Sequence, residues 1–451
     1  MQYKYKGEIT VFLTLVFSVF TGLVLTIVES ARLGAMRIQS ENAMQSSIHS
    51  VFGEYNQELL LYYELFAIDS SFRGSNGSVE NLRTHLSEYA EENFLSSDPG
   101  KQKSDWLKLH VKETDLKRFQ LLSDENGAVL IDQAIRYEKE KGQIPDRSDI
   151  VHAKQSMQEN SEDRFMGDFA EYLSKAGTME NPAEEVFETA IGADLLDLVI
   201  DGGYGGESMR NDCASRRSLK KGTYNGMPLS VRSGSFLFDA YLLDHFGTYV
   251  EPLDHAKLAC ETEYLITGNN AENDCLRECA RRILSQREQR NLEGFLDNEE
   301  VLRETEELAN RLCEGGGDPY CTRMSLLYAW VYTQSVIEVS RLLYGGSCLM
   351  DGSESPVVPL SELTDFTDYC YACGGSGEPY RTFLTGLLAS VSVNNKAFRC
   401  MDLIEINLQR AGYAGFRVDT SITYFCSKIT VTSDYGHSCS VEREYGYFAG
   451  P

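Results

Sequence analysis

Cys370-Tyr371-Ala372-Cys373 holds two thiols at the spacing used by redox pairs and by half of a zinc site. Zinc needs a second close pair. Cys400 stands alone, and Cys275 and Cys279 lie almost a hundred residues earlier, one helical turn apart. A thioredoxin-type pair opens a helix after a strand, whereas Gly374-Gly375-Ser376-Gly377 follows here. Structural disulfides are the better reading. Residues 1–212 contain no cysteine and residues 213–439 contain all twelve, and an even number confined to one region reads as a disulfide framework in an oxidising space. The candidates are Cys213, Cys260, Cys275, Cys279, Cys313, Cys321, Cys348, Cys370, Cys373, Cys400, Cys426 and Cys439. Cys313 and Cys321 flank a Gly-rich loop that a disulfide could close. Cys426 and Cys439 lie either side of a terminal turn but off its centre, so they need not face each other.

Other chemistry finds little support. The seven histidines are dispersed, with no His-x-x-x-His or His-Glu-x-x-His helix pair to hold a metal. No Gly-x-Ser-x-Gly elbow occurs, and Gly202-Gly203-Tyr204-Gly205-Gly206 lacks the Lys-Ser/Thr that would hold phosphate. Glu184-Glu185 and Glu299-Glu300 stand at helix starts, where acids favour the dipole. No catalytic, cofactor-binding or metal-ligating residue is assigned, and an enzyme is not expected. The net charge of −26 would repel nucleic acid and anionic headgroups alike.

The element around which these residues are arranged is Ile9–Val28, twenty residues without Asp, Glu, Lys or Arg. As a helix it would span roughly 30 Å, the hydrocarbon thickness of a bilayer. Its Thr and Ser hydroxyls can bond back to carbonyls of the same helix. A cleaved signal peptide is a poorer fit, because cutting after Ala31 would put Glu29 where a small residue belongs. A single retained span is expected, with lipid contacting residues 9–28. Lys4 and Lys6 precede it and Arg32 and Arg37 follow, so flanking charge weakly favours a cytoplasmic amino terminus. The cysteines argue for a bulk outside the cytoplasm.

Gly7, Val11 and an apolar run closing on Val28-Glu29-Ser30-Ala31-Arg32 resemble the head of TadE/TadG-type pseudopilins. Those belong to the Tad (Flp) pilus, a branch of the type IV pilus and type II secretion systems. The resemblance implies a basic leader cut by a prepilin peptidase between Gly7 and Glu8, with Glu29 and Arg32 matching the family's Glu-x-x-Arg. The family usually carries Glu five residues after the glycine, where this chain has Phe12. The remainder resembles uncharacterised Gram-positive proteins that carry such a head. The matching stretches are Glu263-Tyr264-Leu265-Ile266-Thr267-Gly268, the turn and helix after it, Trp330, and Arg399–Leu408.

The expected fold is α+β: a long amino-terminal helix, transmembrane then amphipathic, packed on a mixed helical and antiparallel-strand region. Met44, Ile48, Val51, Phe52, Tyr55, Leu59, Tyr62, Tyr63 and Phe66 recur at helical steps, so one rod could run to Ala67. The expected divisions are a leader (1–7), the helix (8–67), a cysteine-free acidic α+β region (68–200), a Gly-rich linker or loop (201–228) and a cysteine-rich α+β domain (229–451). Helices are expected over Val79–Phe94, Ile131–Lys141, Asn181–Ile200, Phe236–Phe246, Ala271–Arg290, Asn298–Cys313, Arg323–Leu343, Tyr380–Val391 and Lys396–Gln409. Strands are expected at Leu107–Val111, Phe119–Leu122, Leu258–Ile266, Thr420–Phe425, Lys428–Thr432 and Cys439–Tyr447. Gly142–Asp163 reads as a mobile connection.

Functionally, the resemblance implies a structural minor pseudopilin-like subunit or scaffold of a Tad-type pilus or secretion apparatus on a Gram-positive surface. Its partners would be lipid, other pilin-like subunits and a prepilin peptidase. The alternative is a permanently anchored binding or sensing domain that joins no filament.

Overall fold

Helix α1 (Lys4–Gly53) opens the chain as fifty unbroken residues. The computed structural model describes residues 4–94, 107–142, 162–178, 180–209, 221–222 and 235–447. Its first unit comprises residues 1–125, 218–228 and 412–451; the second comprises 126–217 and 229–411. The described residues are helical for the most part, with antiparallel strands, an α+β fold as expected.

In the first unit, the expected rod to Ala67 stops at Gly53. A second helix, α2 (Gln57–Tyr63), restarts where the Asn56 side chain accepts the Leu59 N–H at 2.8 Å. It ends at Glu64, held at φ 52°. Glycine is a weak helix former and Asn a strong N-cap, so the chain turns between them. Strand β1 (Ile68–Asp69), helix α3 (Val79–Glu92, capped by Ser78) and strand β2 (Leu109–Leu121) follow. The unit is completed by β3 (Ser421–Ser433) and β4 (Ser438–Gly446).

Strand β3 is central and antiparallel to all its partners. It pairs with β1 at Ile68↔Ile422, with β2 from Leu109↔Ser433 to Leu121↔Ile422, and with β4 from Tyr424↔Gly446 to Thr432↔Ser438. The two short strands expected at 107–111 and 119–122 are one bulged strand. Its partner lies some three hundred residues later, which places residues 412–451 with the amino-terminal elements and departs from the divisions at 68–200 and 229–451. The inner face of β3 carries Ile422, Phe425, Ile429 and Val431, packed with Met44, Ile48, Val51 and Phe52 of α1 and Leu82 and Leu86 of α3. Phe52 stacks on Phe425 at 5.0 Å, and Tyr447 donates to the Phe52 carbonyl at 2.6 Å.

The second unit is helical. It takes α4 (Asp124–Lys141) from Asn126 onward, then α5 (Glu162–Ala176), α6 (Pro182–Gly192) and α7 (Leu195–Val199). Asn181 caps α6 as expected, accepting the Ala183 N–H at 3.1 Å, but the helix breaks at Gly192 and restarts at Asp194. Next come α8 (Ser235–His245), α9 (Glu261–Thr267), α10 (Glu272–Leu296) and α11 (Glu299–Leu312). The last three helices are α12 (Pro319–Leu343), α13 (Tyr380–Ser390) and α14 (Val393–Arg410).

Helix α12 is the unit's axle, buried almost continuously from Ser325 to Leu343, with α5, α10 and α11 against it. It starts four residues before the expected Arg323, because Asp318 caps it and Pro319 suits its first turn. The strand expected at Leu258–Ile266 is instead helix α9, closed by Gly268 at φ 73°. Of the expected linker, residues 201–209 are tied down: Met209 donates to the Asn270 carbonyl at 2.6 Å and Glu272 to that of Glu207 at 3.0 Å. Most of the rest of the linker, and most of the expected mobile connection, lie outside the described residues.

Candidate functional site

Helix α1 has two kinds of surface. From Ile9 to Val28 its apolar side chains are open, with Phe12 67% and Val19 72% exposed. This stretch has a mean hydropathy of 2.5 and the length and composition of a membrane anchor. Thr14, Thr21 and Thr26 donate to the carbonyls of Val11, Phe17 and Gly22, so their hydroxyls do not oppose lipid. Gly7 and Glu8 are exposed in the helix's first turns, and a Cβ at Gly7 would meet nothing within 4 Å. From Met36 onward one face is buried against the sheet.

The change of surface falls at Glu29 and Arg32. Their side chains pair at 3.7 Å, His437 pairs with Glu29, and the Arg32 guanidinium lies 3.9 Å from the Tyr435 ring centroid. Both partners come from the turn between β3 and β4. The Glu-x-x-Arg of the head thus marks where the helix meets its own sheet.

The expected disulfide framework is not formed among the described cysteines. Cys260, Cys275, Cys279, Cys321, Cys348, Cys370, Cys400 and Cys426 are buried, Cys313 and Cys439 half-buried, and Cys373 exposed, all as free thiols. Cys213 lies outside the described residues. Cys275, Cys279, Cys321 and Cys400 sit within helices as small apolar fillers. Burial pushes the Cys275 and Cys370 thiols up to about 11 and Cys348 up to about 12, so they stay neutral. Cys313 Sγ lies 3.3 Å from Thr322 Oγ1. On the terminal hairpin Cys426 faces Glu444 and Cys439 faces Val431, five residues out of register with each other. Cys370 and Cys373 differ in exposure and surround Tyr371 at φ 64°.

The stretches singled out around Glu263–Gly268 and Arg399–Leu408 meet in space. Helix α9 lies against α14: Tyr264 donates to Asp402 at 2.8 Å, and Arg399 donates to the Leu265 and Ile266 carbonyls at 2.8 and 2.7 Å. Three carboxylates at this junction hold the loop before α9. Glu261 accepts the Gly247 N–H at 3.0 Å and the Asn407 amide at 2.6 Å. Glu263 accepts the Tyr249 N–H and the Tyr380 hydroxyl, both at 3.0 Å. Glu272 accepts the Ala259 and Cys260 N–H groups through one oxygen and the Glu207 N–H through the other.

Burial pushes Glu261 and Glu263 up to about 7, against the hydrogen bonds that favour their charged forms. The arrangement satisfies backbone donors, and all three carboxylates are buried. Sequence periodicity missed it, since an acid inside an apolar run gives no sign of which loop it will cap. Trp330 is similarly structural, donating to the Val358 carbonyl at 2.7 Å. Among the described residues no group of three or more His, Cys, Asp and Glu could hold a metal ion.

Residues 173–433 match the model of a family of unknown function (DUF5702). No curated protein and no solved structure matches the chain.

Proposed function

We propose that this chain, which belongs to the DUF5702 family, is a membrane-anchored structural subunit built on the plan of a pseudopilin. One observation carries the reading. A single helix is bare and apolar through its first half and packed on an antiparallel sheet through its second. Such a helix can sit in lipid, or leave it to bury the same surface against like helices, exchanging one apolar environment for another. The head's resemblance to TadE/TadG-type pseudopilins supports the same role. In this proposal Lys4 and Lys6 lie on the cytoplasmic side and the two units on the other.

Removal of the leader between Gly7 and Glu8 would take away the two lysines that pin the helix. With Phe12 in place of the usual acid, the subunit would lack the pairing of that acid with a neighbour's new amino terminus. This suits a first or capping subunit of a filament. Amino-terminal sequencing of the native protein tests the proposal, with a chain beginning at Glu8 expected and Gly7→Ala blocking the change. A chain beginning at Met1 or Gln2, unaffected by Gly7→Ala, leaves the permanently anchored alternative. Protease added to wall-stripped cells should digest the chain beyond about residue 40; full protection would reverse the orientation.

A further inference from the structure

The second unit contains a cleft of about 520 Å³ between α10, the end of α6, the start of α7 and α12. One face of α10 supplies Arg277, Arg281, Leu284, Ser285 and Glu288, spaced at helical repeats of four, three, one and three residues. Leu284, Ala190 and Met166 make apolar walls. Glu288 lies in the depth of the cleft at 4% exposure beside Tyr332, and no described residue hydrogen-bonds its carboxyl. Its neighbour in sequence, Arg287, is no help. That side chain points into the core, bonded to Glu338 at 2.6 Å.

A buried carboxyl opening on a cleft without a protein donor is costly unless something else supplies one. At the mouth, Arg277 is taken up bidentately by Asp194, at 2.9 and 2.8 Å, and by Asp274 at 2.7 Å. Arg281 has a looser hold: it lies 3.9 Å from Glu278, within the electrostatic influence of Asp194, and remains 56% exposed. Arg281 and Glu288 are two turns apart, about 10 Å along the helix, and both side chains lean the same way.

We propose that this cleft binds a zwitterionic small molecule, an amine and a carboxylate joined by an apolar stem, as in an amino acid or short peptide. Glu288 takes the ammonium, the apolar walls take the stem, and Arg281 takes the carboxylate. The ammonium supplies the donors that the fold withholds from Glu288, and its charge offsets the burial of the carboxylate. Arg281 adds an exposed, weaker contact that selects for the anionic end. This site is independent of the anchoring role.

The test titrates the full-length protein in detergent with 6-aminohexanoate, hexylamine and hexanoate, read by calorimetry. The expected order of affinity is 6-aminohexanoate, then hexylamine, with hexanoate weakest. Glu288→Gln should weaken both amines at least tenfold, while Arg281→Ala should bring 6-aminohexanoate down to the level of hexylamine. Ala190→Trp, which fills the cleft from α6 and leaves the Glu288 side chain in place, should abolish binding of all three. It keeps the test decisive if Glu288→Gln fails to fold. Absence of binding by both amines, or amine affinity unchanged in Glu288→Gln or in Ala190→Trp, overturns the proposal.

Discussion

In the first unit a helix lies on a sheet, and the contact is made by Ile, Val, Leu, Met and Phe side chains from α1, α3 and β3. Its buried acids, Asp69, Asp124 and Asp419, sit where the chain turns: Asp69 and Asp419 bond locally to Ser71 and Arg417, and Asp124 accepts the Leu121 and Gly222 N–H groups. In the second unit charge enters the helix interfaces themselves. Arg287 and Glu338 are fully buried, joined to each other and to Asn291, Gln334 and the Leu349 carbonyl. Lys396 pairs with Asp239, and Glu261 and Glu263 hold the loop before α9. The first core would tolerate exchange among apolar residues of similar volume. The second depends on particular partners, because removing one leaves a charge stranded without water.

The largest expected effect tests that difference directly. Arg287→Met should cost about 3–5 kcal/mol by leaving Glu338 unpaired, and Arg287→Met with Glu338→Leu should recover most of it. Hydrogen exchange read separately over each unit would assign the loss to the second. A single variant as stable as the parent would remove the claim that the second core relies on pairing.

Next in size is a pH effect. Burial pushes Glu288 up to about 8, while the unfolded chain titrates near the ordinary Glu value. Between those values the folded state holds a proton that the unfolded state has released, so stability falls as pH rises from about 4.5 to 8. Tyr332 from α12 lies beside it, while Arg277 and Arg281 from α10 and Asp194 ahead of α7 line the same cleft. Glu261 and Glu263, pushed up to about 7, act in the same direction. Glu288→Gln should flatten the dependence and gain on the order of 4 kcal/mol relative to the parent near pH 8. An unchanged slope in urea unfolding from pH 5 to 8 would refute it. Exchange protection in β3 of the first unit, which has no such carboxyl in its apolar core, should vary less.

Two smaller effects sharpen the contrast. Asp318 accepts the Tyr320 and Cys321 N–H groups at 2.9 and 3.1 Å, so Asp318→Ala should cost about 1 kcal/mol in thermal unfolding. In the first unit Ile422→Val should cost about 0.5–1.5 kcal/mol, since it removes one buried methylene and no partner. A loss above about 3 kcal/mol there would show that the first core is as exacting as the second.

Local pattern accounts for much that was legible. The bare apolar run of α1, its amphipathic continuation, the Asn181-Pro182 start of α6 and the bend at Ser433–Gly436 each depend on neighbours within a few residues. The helices α10 to α14 also announce themselves, although their ends moved by a few residues where a cap lay outside the apolar repeat. The anchor-like surface of α1 was therefore readable from composition alone.

What the amino-acid sequence determined by itself is a chain with one lipid-length apolar helix, an acidic surface and an α+β element order, because hydropathy and caps act over one or two turns. Tertiary structure alone decided that β2 pairs with β3 across three hundred residues, that Leu258–Ile266 coils instead of extending, and that most of the described cysteines are buried without pairing. It also brought the Glu263–Gly268 and Arg399–Leu408 stretches into contact and left Glu288 facing a cleft. Each of these depends on which distant group supplies a donor, a partner strand or a wall, and such groups meet only once the whole chain has folded.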